Sequence, residues 1–391
     1  VVLVGFSSIL GAINFVVTTL KLRAPGLTVW RIPIFVWSIF GSALIVLLAT
    51  SFLAGDLTLV LLERTFNMAF FDPARGGQPL LYQNLFWFYS HPAVYIMAVP
   101  AFGVLLEVLV VFCRKPLFAY RLVVVSFLSI VFLGAMVWAH HLFVAGMPNN
   151  LRAPFMIATE LISVPTGGVF LAALGTLWRA RIRLEVPMLF VLGSLVTFLV
   201  GGITGIYLAD VPTDMYLSGT YFLPAHFHYT MVGATIFGLM AGTYFWFPKI
   251  SGRMMFNALG RLHFWLFFVG FQLTFMPMFW LGMNGMPRRY ATYDPALHTG
   301  NVMATLGSYV LGLGALAFVV NLVATAFAGK RAPANPWRSR TLEWQTLSPP
   351  PPHNFERTPV VKAGPYDYGD PEAGEVALFP VPIAMPREVV A

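Results

Sequence analysis

The sequence has few charged residues and a single cysteine. Only 10% of its 391 residues are Asp, Glu, Lys or Arg, whereas 58% are hydrophobic. Soluble globular proteins carry about 25% charged residues, so this composition excludes an ordinary water-soluble domain. Because Cys113 has no partner, no disulfide can form within the chain. The lack of a cysteine cluster also argues against an iron–sulfur cluster or a structural zinc site.

Long apolar runs dominate the chain instead. Each run is long enough to cross about 30 Å of hydrocarbon as a helix. The runs cover residues 1–20, 33–62, 85–112, 121–146, 154–178, 187–209, 221–247, 262–282 and 302–327. They predict an all-α fold, a polytopic transmembrane bundle of nine helices at residues 1–328. The Pro-rich residues 329–391 cannot form another span and are expected to be a cytoplasmic tail.

The positive charges are distributed by side of the membrane. Lys and Arg residues follow the first, third, fifth, seventh and ninth runs, and basic loops stay on the cytoplasmic side. The net charge of +8 therefore reflects topology and does not indicate a nucleic-acid partner. Residue 1 is not Met, and the first run lacks the features of a signal peptide, so the chain is expected to begin inside a larger protein.

Five of the eight histidines lie inside the predicted spans, in three groups. The groups are His91, the adjacent pair His140 and His141, and the pair His226 and His228. A single histidine at membrane depth is as readily a hydrogen-bonded contact between helices as a ligand. Polar groups are costly in hydrocarbon, however, so five histidines in three groups favour metal ligation. Imidazole nitrogens without thiolates suit haem iron and copper.

The spacing of these histidines indicates which of them can share a metal. His226 and His228 are about 200° apart around a helix, so they cannot bind one ion and predict two centres on opposite sides. His140 and His141 are adjacent near the outer end of their helix, where both can reach one ion if the last turn relaxes. His91 is the candidate third ligand, because the proline that follows it disturbs the local helical hydrogen bonding.

A tyrosine accompanies His91 within the segment FWFYSHPAVYIM at residues 86–97. Tyr95 follows four residues later and lies on the same face of the helix. The pair combines a metal ligand with a phenol that can give up an electron and a proton.

Several motifs, in unbroken order, resemble subunit I of the haem–copper oxygen reductases, the cytochrome c oxidase family. They are SSILGAINF at 7–15, FFDP at 70–73, HPAVY at 91–95, WAHH at 138–141, VPTG at 164–167, AHFHY at 225–229, GMPRRY at 285–290 and TLEWQTLSPPPPHNF at 341–355. The resemblance covers nearly the whole chain. It implies a twelve-helix subunit of which this chain supplies helices four to twelve, so the second axial histidine of one haem lies outside it.

The resemblance implies a role for each intramembrane histidine. His91, His140 and His141 are implied to bind the active-site copper. His226 is implied to be the proximal ligand of the high-spin haem, and His228 one axial ligand of the low-spin haem.

Further residues gain implied roles around these ligands. Tyr95 is implied to be covalently joined to His91, and Arg288 with Arg289 to hold haem propionates. Trp87 is implied to pack near the copper. Without the resemblance, it would be interpreted as an ordinary residue of the hydrophobic core.

The resemblance also implies an activity and its partners. It predicts the catalytic subunit of a terminal respiratory oxidase, an enzyme that reduces O2 to water and translocates protons. The implied cofactors are two haems of the a type and one copper ion. The implied partners are a copper-bearing subunit II, a subunit III, membrane lipid and cytochrome c as electron donor, in a bacterial plasma membrane. Quinol remains the alternative electron donor.

The proton path departs from the commonest family pattern. Ala93 stands where most members have a glutamate, and Tyr89 with Ser90 resembles a variant in which hydroxyl groups take over that relay. Simple packing is the other interpretation of Tyr89. Val169 replaces the lysine of a second channel, in which Thr166 remains.

Other polar residues are assigned by position. Glu160 is either a functional carboxylate or a helix-end residue facing the outer aqueous side. Ser218 and Gly219 replace the family's His-Asp or His-Asn pair, so the magnesium site is expected to be absent or remodelled. The remaining histidines are expected at solvent or at an interface, and they are His263, His298 and His353.

Two alternative functions remain open at this point. A nitric oxide reductase of the same superfamily often lacks the tyrosine, so Tyr95 favours oxygen, whereas the missing lysine at Val169 keeps the alternative open. A transporter or a non-catalytic haem-binding subunit is the other alternative, but transporters tend to show internal repeats and the sequence contains no convincing one.

Overall fold

The computed structural model describes residues 2–368, and these residues form an all-helical bundle. Its twelve α-helices within that range are α1 Val2–Lys21, α2 Ile34–Phe66, α3 Pro79–Cys113, α4 Tyr120–Met136, α5 Asn149–Leu161, α6 Ser163–Leu177, α7 Val186–Ala209, α8 Val211–Leu217, α9 Phe222–Met231, α10 Phe237–Ser251, α11 Asn257–Met283 and α12 His298–Ala328.

The predicted number of membrane spans is confirmed. Within the described residues, nine helical segments are long and apolar enough to cross a membrane. Their ends differ from the hydropathy prediction by a few residues. The largest difference is at the start of the ninth span, which begins at Pro295 instead of residue 302. The difference arises because the polar first turn of α12 lowers the local hydropathy without interrupting the helix.

Three of these spans are interrupted within their length. In the fourth span, α4 ends at Met136 and a 3-10 segment follows at Trp138–Leu142. The fifth span breaks at Ile162, between α5 and α6. In the seventh, a π-helical segment at Val232–Ile236 joins α9 to α10. Such interruptions within helices often occur at functional sites.

Helix α3 lies at the centre of the bundle. It packs against α2, α4, α6, α7 and α10. Its C-terminal half, from Val99 to Cys113, is almost entirely buried. Helices α1 and α12 are peripheral, with large apolar side chains such as Leu10 and Leu313 exposed. The helix that carries His91 and Tyr95 is therefore shielded from lipid on most sides.

Glycines bring α11 and α12 into close contact. A Cβ atom on Gly314 of α12 would lie 2.7 Å from the backbone nitrogen of Phe267 in α11. Small residues at such positions let transmembrane helices approach backbone to backbone. By contrast, a Cβ atom on Gly312 in the same helix would have no neighbouring atom within 4 Å.

Replacing Gly314 by alanine is expected to destabilise this helix pair. The new methyl group has to displace backbone, and overpacking of this kind costs about 1–3 kcal/mol. The midpoint of thermal unfolding of the intact complex in detergent should fall. Gly312→Ala is the matched control in the same helix and should leave the midpoint unchanged. Equal effects of the two substitutions would contradict the packing argument.

The segment after α12 lies against one end of the bundle, as far as residue 368. Lys249 at the end of α10 donates hydrogen bonds to the carbonyl oxygens of Ala334, Thr346 and Leu347, at 2.7–3.1 Å. Trp344 of this segment is buried. The part of the predicted tail at 369–391 lies outside the described residues.

The prediction that His263 lies at solvent or at an interface is wrong. Helix α11 begins at Asn257, earlier than predicted, so His263 lies inside the helix and is fully buried. Its Nδ1 is 3.1 Å from the hydroxyl of Tyr244, and the rings of Phe190 and Phe318 surround it. His298 and His353 are exposed, as predicted.

Candidate metal centre and its surroundings

Three histidines from two helical segments converge beside the middle of α3. One nitrogen from each of His91, His140 and His141 lies within 4.8 Å of the others. His91 comes from α3, and the adjacent pair comes from the 3-10 segment after α4. In this segment the backbone nitrogen of His140 donates to the Val137 carbonyl at 3.3 Å. The α-helix thus gives way to a 3-10 segment at this pair, as the sequence predicted, and both imidazoles face His91.

The geometry of the three imidazoles fits one copper ion. The Nδ1 of His91 lies 3.2 Å from the Nε2 of His141. Two nitrogens of a trigonal site, each about 2 Å from the metal, lie about 3.5 Å apart. No acidic side chain belongs to the group in the described part of the chain. An all-imidazole set suits copper.

A threonine orients His140. The hydroxyl of Thr159 in α5 donates a hydrogen bond to the Phe155 carbonyl at 2.5 Å. Its oxygen can therefore accept a hydrogen bond from the Nδ1 of His140, which lies 3.1 Å away. This hydrogen bond fixes the tautomer in which Nε2 carries the free lone pair. Partners of this kind hold metal ligands in position and raise their basicity.

Aromatic rings complete the environment of the three histidines. Trp87 stacks on His141 with ring centroids 3.8 Å apart and an angle of 10° between the planes. Tyr95 meets His91 edge to face at 5.1 Å. The Nε2 of His91 is buried and has no hydrogen-bond partner in the described residues. That unsatisfied nitrogen is the atom free for the covalent bond to Tyr95 that the resemblance implies.

His226 lies on α9, which packs against α7 and contacts α3. Its Nδ1 donates to the carbonyl of Gly201 in α7 at 3.1 Å, which leaves Nε2 as the free ligand atom. A Cβ atom on Gly205 would lie only 3.0 Å from the His226 ring. The ring therefore has space because residue 205 is a glycine. This arrangement fits the proximal ligand of a haem.

His228 faces the opposite side of α9. Its ring stacks on Phe275 of α11 at 4.1 Å, whereas His226 contacts α7. The Nδ1 of His228 donates to the Pro224 carbonyl at 2.7 Å, so its Nε2 is likewise left for a metal. The two imidazoles therefore point to different sides, as the 200° spacing predicts, and the residues fit two separate haem irons.

Two arginines lie at the same end of the bundle as the start of α9. The backbone nitrogen of Arg288 donates to the Gly219 carbonyl at 3.0 Å, and the backbone nitrogen of Tyr221 donates to the Met286 carbonyl at 2.9 Å. Burial, and then the charge of Arg289, lower the pKa of Arg288. Neither arginine forms an ion pair within residues 2–368. Two neighbouring cations without anionic partners suit the carboxylates of haem propionates.

The predicted proton-path residues are only partly brought together. Tyr89 and Ser90 are half-buried on α3, directly before His91. Thr166 donates to the Ile162 carbonyl at 2.9 Å. Glu160 is half-buried where α5 gives way to α6, in the middle of a span. No hydrogen bond among residues 2–368 joins any of them to the three converging histidines.

Asp214 is a buried acid near the replaced magnesium pair. It lies in α8, and the backbone nitrogen of Ser218 donates to its carbonyl at 2.8 Å. Burial raises the pKa of its carboxyl group to about 7, partly offset by a hydrogen bond with Ser218. The folded protein thus favours the neutral acid.

This raised pKa predicts a pH dependence of stability. The folded state holds the Asp214 proton up to about pH 7, whereas the unfolded state loses it near the ordinary value of 3.8. Folded protein therefore binds more protons between these values, and its stability falls as the pH rises through that window. Asp214→Asn should flatten this part of a plot of the thermal midpoint against pH. An unchanged slope would contradict the assignment.

Several of these contacts could not be predicted from the sequence. Thr159, Gly201 and Phe275 position the ligating imidazoles but belong to other helices, at distances along the chain that no motif encodes. A polar residue in an apolar run was the only signal available for Thr159.

Comparison with known families gives one match over most of the chain. Residues 1–310 match the family model described as Cytochrome C and Quinol oxidase polypeptide I. The chain is 50% identical over 367 residues to cytochrome c oxidase subunit 1 of Synechocystis sp., covering 94% of this chain and 67% of the relative. It is 45% identical to that of Thermostichus vulcanus, with the same coverages.

Two further comparisons agree. The subunit 1 of Cereibacter sphaeroides is 46% identical over 91% of this chain and 63% of its own length. A solved structure described as a heme-copper terminal oxidase dimer has a TM-score of 0.69 at 23% identity, over 77% of this chain and 57% of that chain. The chain thus spans about two thirds of the length of its curated relatives, and the solved structure supports the fold.

Proposed function

Because this chain belongs to the family of cytochrome c and quinol oxidase polypeptide I, we propose that it is the catalytic subunit of a terminal respiratory oxidase. The reaction is the reduction of O2 to water at a haem–copper centre, coupled to proton translocation. The chain is thus an oxidoreductase and a translocase of the respiratory chain.

One observation carries this proposal. His91, His140 and His141 bring their nitrogens together beside Tyr95, and His226 lies on α9, which contacts the helix of His91. A copper site and the ligand of a haem iron are therefore neighbours, as a reaction at two metals requires. A helix contact or a transport function needs no such convergence.

The residues of the chain have distinct roles in the reaction. When bound, the haems and the copper ion would supply electrons to O2. His91, His140 and His141 would hold the copper, His226 would hold the high-spin haem, and His228 would be a ligand of the low-spin haem. We assign both haems to the a type and expect no magnesium ion at Ser218 and Gly219.

Residues around the ligands set the geometry and the proton supply. Trp87 fixes the plane of His141 by stacking on it. Tyr95 supplies a proton and an electron from its hydroxyl group. Arg288 and Arg289 would hold the haem propionates at the end of the bundle where α9 starts.

Protons reach this centre through hydroxyl groups in place of the usual carboxylate. Tyr89 and Ser90 directly precede His91. Their hydroxyl groups provide the proton relay that Ala93, which has no carboxylate, cannot provide. Thr166 and Glu160 lie on the helices of the fifth span, where Val169 leaves no lysine. Glu160 lies in the last turn of α5 but is half-buried at mid-span, which favours a functional carboxylate over a residue facing the outer aqueous side.

A nitric oxide reductase is not favoured as the function. The relatives at 43–50% identity are named cytochrome c oxidase subunit 1. Tyr95 also lies against His91, where the chemistry of oxygen needs a phenol.

The chain is a multi-pass membrane protein, and subunits of this family work with other oxidase subunits. Here they are a copper-bearing subunit II and a subunit III, with cytochrome c as electron donor in a bacterial plasma membrane. Residues 1–328 form the catalytic domain. The basic loops and the tail at 329–391 lie on the cytoplasmic side, in keeping with the positions of Lys and Arg.

Oxygen uptake by the intact purified complex tests this function. The complex is reconstituted in sealed vesicles with reduced cytochrome c, and external pH is recorded during turnover. We expect rapid, cyanide-sensitive oxygen uptake and acidification outside the vesicles. A complex with full haem and copper content but no oxygen uptake would contradict the proposal and lead to a test with nitric oxide. Oxygen uptake with quinol alone would reassign only the electron donor.

A further inference from the structure

A buried carboxyl group lies on the same helix as His91 and Tyr95, nearer the tail. Glu107 is 2% exposed. Its Oε2 accepts a hydrogen bond from the Tyr366 hydroxyl at 2.5 Å, and its Oε1 is buried without a hydrogen-bond partner in the described residues. An ionisable side chain is costly in the interior of a membrane bundle, so an acid kept there calls for a functional explanation.

The tail closes the space around this acid. The hydroxyl of Tyr366 accepts a hydrogen bond from the Ile34 nitrogen at 2.7 Å while it donates to Glu107. Burial, and then the charge of Glu107, raise the pKa of Tyr366 far above its usual value, so it remains a donor. The other titratable groups around Glu107 are Tyr120, Glu343 and Tyr368.

Polar groups continue from Glu107 along the contact between α2 and α3. The backbone nitrogen of Phe35 lies 3.5 Å from the Glu107 carboxyl group. One turn farther along α2, Ser38 packs directly against Gly103 of α3. Ser42 follows after one more turn on the same face of α2, and its hydroxyl is buried without a hydrogen-bond partner in the described residues. A buried hydroxyl with unmet hydrogen bonds indicates a place for water.

Beyond Ser42, the contacts of α2 with α4 lead toward Tyr95. Gly41, next to Ser42, packs against Val131 of α4. One turn farther along α4, a Cβ atom on Gly134 would lie 2.6 Å from the ring of Tyr95. Glu107 and Tyr95 are twelve residues apart on α3, or about 18 Å. Ser38 and Ser42 lie at intermediate levels of α2, and water molecules would have to bridge the remaining distances.

We propose that Glu107 takes up protons at the tail end of the bundle and passes them along the α2–α3 contact, past Ser38 and Ser42, to Tyr95. The proposal rests on the proposed oxidase function and adds a proton-uptake residue to it. In each transfer, the O–H bond of the Glu107 carboxyl group breaks and a new O–H bond forms on a bridging water. The carboxylate is then reprotonated from the aqueous side. Reduction of one O2 to two waters consumes four protons and four electrons, and this path carries protons only.

The first test is Glu107→Gln in the intact, metal-loaded complex. Glutamine keeps the size of the side chain and an oxygen that can accept from Tyr366, but it cannot release a proton. Steady-state oxygen uptake should fall about 100-fold or more, as expected for the loss of a proton-transfer group. Proton uptake during a single turnover, followed with a pH-indicator dye, should slow by the same factor, while haem and copper contents stay unchanged. Glu107→Asp should restore part of both rates.

Two control variants separate proton transfer from anchoring of the tail. Glu343→Gln removes a neighbouring acid of the tail and should leave both rates near those of the wild type. Tyr366→Phe breaks the same hydrogen bond but keeps the acid, so its effect should be much smaller than that of Glu107→Gln. Wild-type rates in Glu107→Gln, or equal losses in Tyr366→Phe and Glu107→Gln, would overturn the proposal. Failure of the wild-type complex to take up oxygen would instead refute the oxidase function itself.

Discussion

Replacing His141 by asparagine is expected to remove the bound copper and to abolish oxygen uptake. His141 contributes the Nε2 atom that lies 3.2 Å from the Nδ1 of His91, and two imidazoles alone leave the trigonal site incomplete. Loss of a partner that merely orients a ligand already costs about 10–100-fold in metal affinity or activity. Loss of a ligand should therefore exceed that range. Copper per complex is measured by elemental analysis, together with oxygen uptake and the haem spectrum.

Two variants make this expectation specific. Thr159→Val removes the acceptor of the His140 Nδ1 proton and should give an intermediate loss of copper, within about 10–100-fold. His353→Asn changes an exposed histidine of the tail and should leave the copper content unchanged. Full copper content in the His141 variant would show that the three histidines do not form the site.

Replacing Tyr95 by phenylalanine is expected to stop oxygen reduction without loss of metal. The ring keeps its place between His91 and Gly134, because only the hydroxyl group is removed. The residue can then supply neither a proton nor an electron, nor form the covalent link to His91. Loss of a group that transfers protons in the reaction costs about 100–10,000-fold. Oxygen uptake should fall by that order, with normal copper and haem contents.

Tyr82→Phe is the matched control for this substitution. Tyr82 lies on the same helix and stacks on Phe86, farther from the copper site. Its variant should keep wild-type oxygen uptake. If the Tyr95 variant also reduced oxygen at the wild-type rate, the phenol would have no part in the reaction, and nitric oxide would become the substrate to test.

The sequence was sufficient to predict the membrane spans and the divergence of His226 and His228. Hydropathy predicts the nine spans because the bilayer imposes a minimum length of apolar residues on each helix. The spacing of His226 and His228 predicts their divergence because it depends only on the geometry of one helix. Both inferences use local properties of the chain, and the structure agrees with them.

The features that could not be predicted from the sequence are contacts between distant segments. His263 was expected at solvent, yet its burial depends on three neighbouring helices that its own sequence does not describe. Thr159 orients His140 from another span, so no motif contains both residues. Glu107 did leave a signal, a carboxylate within an apolar run, but its partner Tyr366 is 259 residues away. Only the fold reveals that the tail covers this acid.

The distance along the chain between Glu107 and Tyr366 also has a consequence for biosynthesis. Ribosomes add about 5–20 residues per second. The 259 residues between the two therefore correspond to about 10–50 s of translation. During that time α3 resides in the membrane before the segment that covers its acid has been made. Glu107 therefore cannot receive the hydrogen bond of the Tyr366 hydroxyl until synthesis has reached the tail.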